Sequence, residues 1–303
     1  MRLIVDTNQA DPIRYSYKQL PAKSRPSLVI PHRIWAELLI GRGADARRRA
    51  LAKFPLLFGM DMAAIFNELA ERTEDRIRSF IPIHPGGSRE HEILIKTFQH
   101  PTAEQRKMAE ELRADGAEYR QRVMDNLPRV RKKHRNQESA AKSRGETLAY
   151  EEWHCVEDGE HHLFLKSEAP YRRWLIDEVS TDAEHKSRPI AAKSGDAMFD
   201  AVWENPILRR FLRLQALVNL GYAQTVWEDP KLNRTVRKNN DDVPDVSLVL
   251  YARDGDTILT EDNIRERIHL ADVEKSIHVT PWNTWLTAHL DPPGGKSGPM
   301  TSK

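Results

Sequence analysis

Leu3-Ile4-Val5 is an unbroken apolar run that stops at three polar residues, Asp6-Thr7-Asn8. A strand with one face in water alternates apolar and polar side chains. A run that is apolar at every position belongs to a strand covered on both faces, the mark of a parallel sheet inside an α/β layer. Parallel neighbours cannot be joined by a tight hairpin, so each further strand must follow a crossover, usually a helix. The chain repeats this grammar at once. Leu28-Val29-Ile30 stops at Pro31, a good first-turn residue, and Ile34, Trp35, Leu38 and Leu39 then recur at helical spacing over His32 to Ile40. Gly41 and Gly43 mark where that helix ends.

Helical periodicity continues over 44–54 and again over 62–80, and Phe80-Ile81-Pro82-Ile83 reads as a third strand. The stretch Gln9 to Lys23 reads as a long loop. Beyond 85 the texture changes. Residues 102–135 form a long, charged helical stretch, 137–152 are polar with weak periodicity, 153–165 are mixed and read as a short hairpin around Asp158-Gly159, and 180–194 read as a polar linker. Clear pattern returns with an amphipathic helix over 199–220, closed by Gly221. A turn-rich loop, Asn239 to Pro244, precedes Asp245, which opens a short apolar helix to Ala252. Arg253-Asp254-Gly255-Asp256 then turns the chain into the strand Thr257 to Thr260. A last strand, Ser276 to Val279, leads into Thr280-Pro281, and 291–303 read as a disordered tail. Strands alternating with helices predict an α/β sandwich on a mainly parallel sheet.

Composition narrows the class of molecule. Lys and Arg total 47 against 45 Asp and Glu, which excludes a histone-like polycation, and 39% hydrophobic residues suffice for a globular core. The single cysteine, Cys155, excludes a disulfide framework and a multi-cysteine zinc site. No apolar run reaches the length of a signal peptide or a membrane span, so the expectation is a soluble, cytoplasmic protein without a membrane partner.

Chemistry is expected at the carboxyl edge of the sheet, where open parallel sheets bind ligands. Two apolar strands run into acids there, Asp6 and Asp262, and two more acids, Glu37 and Asp245, sit near the starts of helices. Singly, each is an ordinary turn, cap or helix-face residue. Brought together, four carboxylates repel one another unless a cation joins them. Mg²⁺ fits best, being hard, oxygen-loving and content to share its shell with waters and phosphates, and Mn²⁺ can replace it.

In this order and setting the residues resemble the PIN-domain nucleases. The resemblance rests on Val5-Asp6-Thr7-Asn8 ending the first strand and on Glu37 within Ile34-Trp35-Ala36-Glu37-Leu38. It continues in Asp245 opening the apolar helix to Ala252, in Leu259-Thr260-Glu261-Asp262, and in the closing Ile277-His278-Val279-Thr280-Pro281. It covers about 1–85 and 197–290, leaving 86–196 as a mostly helical inserted subdomain in a PIN-like α/β/α sandwich. The resemblance implies that Asp6, Glu37, Asp245 and Asp262 hold one or two Mg²⁺ or Mn²⁺ ions, with Thr7, Asn8 and Thr260 in support. Asp242, three residues before Asp245, competes for the third position. It further implies a metal-dependent endoribonuclease, a toxin or defence effector by role, with an inhibitory protein or a second copy of the chain as partner. A nuclease of structured or single-stranded DNA is the alternative, and a catalytically weak scaffold is the reading from a different class.

Other features carry less. The basic run Arg129, Arg131, Lys132, Lys133 and Arg135 would suit phosphate contacts, as would Arg47-Arg48-Arg49 and Arg209-Arg210, although such runs are commonly solvated helix faces. Trp153, Tyr171 and Trp174 could stack on bases but suit a core as well. His154, Cys155, Glu157, Asp158, His161 and His162 are rich in ligand atoms without the spacing of a zinc site. Cys155 has no evident base partner and no serine sits in a nucleophile elbow, so hydrolysis by a side-chain nucleophile is not expected.

Overall fold

The computed structural model describes residues 1–41, 43–114, 121, 139, 143–144, 195–212, 247–261 and 277–290. Its centre is a five-stranded, all-parallel sheet of β1 (Arg2–Val5), β2 (Ser27–Ile30), β3 (Leu56–Phe58), β4 (Thr257–Leu259) and β5 (His278–Thr280), in spatial order β3-β2-β1-β4-β5. Leu3, Ile4, Val5, Leu28, Val29, Ile30, Ile258 and Leu259 expose none of their surface. This is the double-sided burial that the unbroken apolar runs predict.

The chain lays β2 and β3 on one side of β1 and β4 and β5 on the other, so the strand order reverses at β1. Register brings Ile4 beside Val29 on one side, and Val5 beside Leu259 on the other. The residues that leave β1 and β4, Asp6 and Thr260, are therefore neighbours at the reversal. That crevice is where doubly wound sheets bind ligands.

The helices between these strands include α1 (Ala10–Ser16), α2 (His32–Ile40), α3 (Ala44–Leu51), α4 (Met62–Glu71), α5 (Glu74–Arg78), α6 (Arg89–Gln99) and α7 (Gly195–Glu204), and α8 (Trp282–Leu290) follows β5. α3 packs on α1, α2 and α6, α8 on α1, and α5 on α7. Residues 103–114 are also helical, with Ala109 fully buried, and Arg106 donates to Leu39 O at 2.8 Å. α6 and helix 103–114 contribute Phe98 and Ala109 to the core that surrounds the sheet. Among the described residues no helix is long and apolar enough to cross a membrane.

Several local expectations are corrected. The third strand is Leu56–Phe58, not 80–83. Pro82 has no N–H for a ladder, and Ile83 N turns back onto Ile81 O at 2.7 Å. Segment 80–84 instead lies antiparallel along the exit of β3, through Met60 N to Pro82 O at 3.0 Å and His84 N to Phe58 O at 2.9 Å. Gln9 to Lys23 is not a loop but α1 flanked by 3₁₀ turns, Asp11 and Pro12 standing in its first turn, where both are tolerated. The helix expected over 62–80 breaks at Arg72-Thr73 into α4 and α5.

The helix expected from 199 begins at 195 and ends at Glu204. Asn205 then caps a second helix, 206–212, accepting from Ile207 N at 3.0 Å and Leu208 N at 3.1 Å. Asn205-Pro206 is itself a start signal for a helix. The apolar segment after Asp245 is a 3₁₀ helix, Ser247–Tyr251. Asp254-Gly255-Asp256 is the expected turn, with Gly255 at φ 80°. Most of the expected helix 102–135, nearly all of 137–194, and the tail 291–303 lie outside the described residues.

Candidate functional site

The carboxyl edge of β1 and β4 carries a compact polar arrangement. Asp6 is 6% exposed, and its carboxylate is held at both oxygens. Oδ1 accepts from Thr7 N at 2.6 Å and Oδ2 accepts from Thr260 Oγ1 at 2.7 Å. Each bond is a product of the sheet. Asp6 N donates to Leu259 O at 3.1 Å, prolonging the ladder by one residue, and this aligns Thr260 with the carboxylate. Asp6 also caps the 3₁₀ turn Thr7–Gln9, so its backbone is extended where β1 ends and the side chain turns back over the turn's first N–H.

Glu37 enters from the neighbouring connection. β2 lies beside β1, and α2 starts two residues after β2 ends, with Pro31 in the N-cap position. Side chains on a helix lean toward its N-terminus, so Glu37 reaches back toward the sheet edge. Its Oε2 accepts from Thr7 Oγ1, and its Oε1 accepts from Arg33 Nε at 3.0 Å, one helical turn earlier. Thr7 therefore joins the two acids, its backbone N–H on Asp6 and its hydroxyl on Glu37. Thr260, 2% exposed, holds the other side of Asp6.

Of the sequence candidates, Asp6, Thr7, Glu37 and Thr260 come together. Asn8 follows on the same turn, exposed, accepting at Oδ1 from Gln9 Nε2 at 2.8 Å. Asp242, Asp245 and Asp262 lie outside the described residues, as do Arg129, Arg131, Lys132, Lys133 and Arg135, the cluster around Cys155, and Trp153, Tyr171 and Trp174. Among the described residues no group of three or more His, Cys, Asp or Glu is arranged to hold a metal ion.

One arginine in each of two basic runs, Arg48 and Arg210, is internal cement. Arg48 is 3% exposed, pairs with Asp45 at 2.7 Å and donates to Phe98 O and Gln99 O, tying α3 to the end of α6. Arg47 pairs with Asp11 of α1 at 2.7 Å. Arg210, 4% exposed, pairs with Asp254 at 2.9 Å and donates to Ala252 O at 3.2 Å. Buried guanidinium groups engaged in this way are structural and are not free to meet a phosphate.

Further along the same edge stand residues that sequence reasoning did not single out. His32 begins α2, Asp61 caps α4 by accepting from Ala64 N at 2.6 Å, and His84 follows the antiparallel flank of β3. Burial pushes the His32 pKa below its ordinary value, partly opposed by Asp61. Burial likewise lowers that of His84, against Glu90 and Asp61. Tyr251 is wholly enclosed, which pushes its phenol pKa upward, and its hydroxyl donates to Met60 O at 2.8 Å. Arg33 was legible in principle, since Arg33 and Glu37 stand four apart on one helix face.

The chain matches no protein-family model, no curated protein and no solved structure.

Proposed function

We propose that this chain is a metal-dependent endonuclease of PIN-like type that hydrolyses phosphodiester bonds, with RNA as its polymer. The observation that carries the reading is Thr7 holding Asp6 and Glu37 together at the point where the strand order reverses. Carboxylates are hard oxygen donors, and two of them gathered around one threonine at a ligand-binding edge suit a hard divalent cation. Asp6 and Glu37 would hold it together with Asp245 and Asp262, the latter two residues beyond Thr260 in sequence. A bound Mg²⁺ or Mn²⁺ supplies an activated water for attack on phosphorus and neutralises charge on the leaving oxygen.

The chain's own part is positional. Thr7 and Thr260 keep both oxygens of Asp6 oriented before any ligand arrives, so no reorganisation is needed at the moment of reaction. Arg33 keeps Glu37 extended toward the edge and balances its charge. The remaining parts of the proposal, an RNA target, a recognition role for the insertion 86–196 and an inhibitory partner or second copy, rest on the family resemblance.

The test is incubation of purified protein with end-labelled RNA and DNA in Mg²⁺, Mn²⁺ or EDTA. Cleavage of RNA that disappears in EDTA and in Asp6→Asn is the expected result. Cleavage of DNA alone reassigns the polymer, and no cleavage of either, with binding retained, leaves a scaffold.

A further inference from the structure

The segment that joins the carboxyl-edge turn to α2 is short of acids. From Pro12 to Ala36 the chain holds Arg14, Lys18, Lys23, Arg25 and Arg33 and not one Asp or Glu, although acids and bases nearly balance over the whole sequence. Asp11, just ahead of this stretch, does not restore the balance. Its carboxylate is shared by two guanidinium groups, Arg14 at 3.1 Å and Arg47 at 2.7 Å. Arg33 is engaged by Glu37. Lys18 and Lys23 are exposed and have no carboxylate partner among the described residues.

Packing fixes this charge in place. Tyr17 is buried and stacks on Phe54, with ring centroids 4.2 Å apart, and its hydroxyl donates to Pro26 O at 2.5 Å. Arg25 donates to Leu20 O and to Lys18 O, both at 3.1 Å. These acceptors are neutral carbonyls, so they hold the guanidinium without cancelling its charge. Lys53, exposed and next to Phe54 in the chain, adds a cation just past α3. A surface ordered in advance binds at a smaller entropic cost than a loop that must be frozen.

Tyr15 is 72% exposed, and the Arg14 guanidinium lies over its ring, 4.4 Å from the centroid, while donating to its hydroxyl. Aromatic side chains usually bury most of their large apolar area. Here one face is backed by a cation and the remainder is open to solvent. An open ring beside uncompensated cations meets the two demands of an unpaired polynucleotide, bases to stack and phosphates to neutralise. An acidic peptide would use the cations and leave the ring without a role. α1 follows the Thr7–Gln9 turn without a gap, so the face leads directly away from the carboxyl-edge site.

We infer that residues 14–25 form a single-stranded nucleic-acid track beside that site, with Tyr15 stacking on a base and Arg14, Lys18, Lys23 and Arg25 meeting phosphates. The inference rests on the nuclease reading and deepens it by saying where the polymer lies.

The test is binding of a labelled single-stranded RNA of about a dozen nucleotides, followed by fluorescence anisotropy in EDTA over a salt series. Lys18→Gln combined with Lys23→Gln alters two exposed side chains outside the core. The slope of log K against log salt should become shallower by about 1.4, from two charges at about 0.7 each on a single strand. Tyr15→Ala should weaken binding about tenfold with the slope retained, and Tyr15→Trp should bind like wild type. On an RNA duplex of the same length Tyr15→Ala should change nothing, because paired bases offer no free face. Slope and affinity unmoved in the double variant overturn the track. An equal loss on duplex and single strand in Tyr15→Ala overturns the single-strand assignment.

This inference and the nuclease reading fail separately. Binding that responds to these variants, without cleavage in any metal, upholds the track and sinks the nuclease reading. RNA cleavage with an unchanged KM in the double variant does the reverse.

Discussion

The two ends of the β1–β4 pair each bury an aspartate, and they treat it in opposite ways. At the amino end Asp256, 5% exposed, accepts from Arg2 N at 2.9 Å, from the Arg2 guanidinium, and from Arg253 N at 2.9 Å. There the acid is matched by a cation and closes a seam between residues 254 positions apart. At the carboxyl end Asp6 accepts from a backbone amide and from a threonine hydroxyl, and a second carboxylate stands one threonine away. Equal burial therefore serves unlike ends. Asp256 with the Arg2 guanidinium closes a seam of the fold, whereas on the proposed nuclease reading Asp6 and Glu37, joined by Thr7, would serve a ligand.

The contrast can be broken by experiment. Asp6→Asn should lower cleavage on the order of a thousandfold, while its melting temperature stays level or rises because crowded acids are relieved. A large fall in melting temperature would place Asp6 with Asp256 as structural. Asp256→Ala should do the converse. Removing one partner of a buried pair costs about 3 kcal/mol, visible in urea unfolding, with cleavage by the remaining folded protein near wild type. Loss of cleavage without loss of stability would erase the distinction.

Thr7→Val separates the two acids more finely. The backbone bond to Asp6 survives and the hydroxyl bond to Glu37 goes, so cleavage should fall about tenfold to a hundredfold and recover in Thr7→Ser. Steady-state rates across a Mg²⁺ series decide this. The smallest effect concerns pH. Burial disfavours the charged imidazole of His32, so its folded pKa lies below the unfolded 6.5. As pH falls through that value the unfolded chain takes up the proton first, and stability that is complete above it is progressively lost. Melting curves from neutral to mildly acid pH should drop less steeply in His32→Phe than in wild type, and parallel curves would remove His32 from the account.

Much of the parallel sheet was legible locally. Leu3-Ile4-Val5, Leu28-Val29-Ile30 and Ile258-Leu259 declare themselves because burial on both faces demands apolar residues at every position. α2 was legible from its period and from Pro31. Leu56–Phe58 was missed because it directly follows a helical pattern, and three apolar residues fit either period. The internal roles of Arg48 and Arg210 were illegible, since a run of arginines reads alike whether its partners are water or carbonyls far along the chain.

At the site, the residue types and their places at strand ends were present in the sequence. Local composition determined that Asp6 would follow a buried strand and that Glu37 would ride on the first turns of a helix. That Thr7 would touch both acids, and that Gln9 would accept from Trp282 N–H, 273 residues away, was decided by tertiary structure alone. The reason is geometric. Periodicity reports which face of an element is buried, but the parallel register, Ile4 beside Val29 and Val5 beside Leu259, is what carries side chains from separate connections within hydrogen-bonding distance.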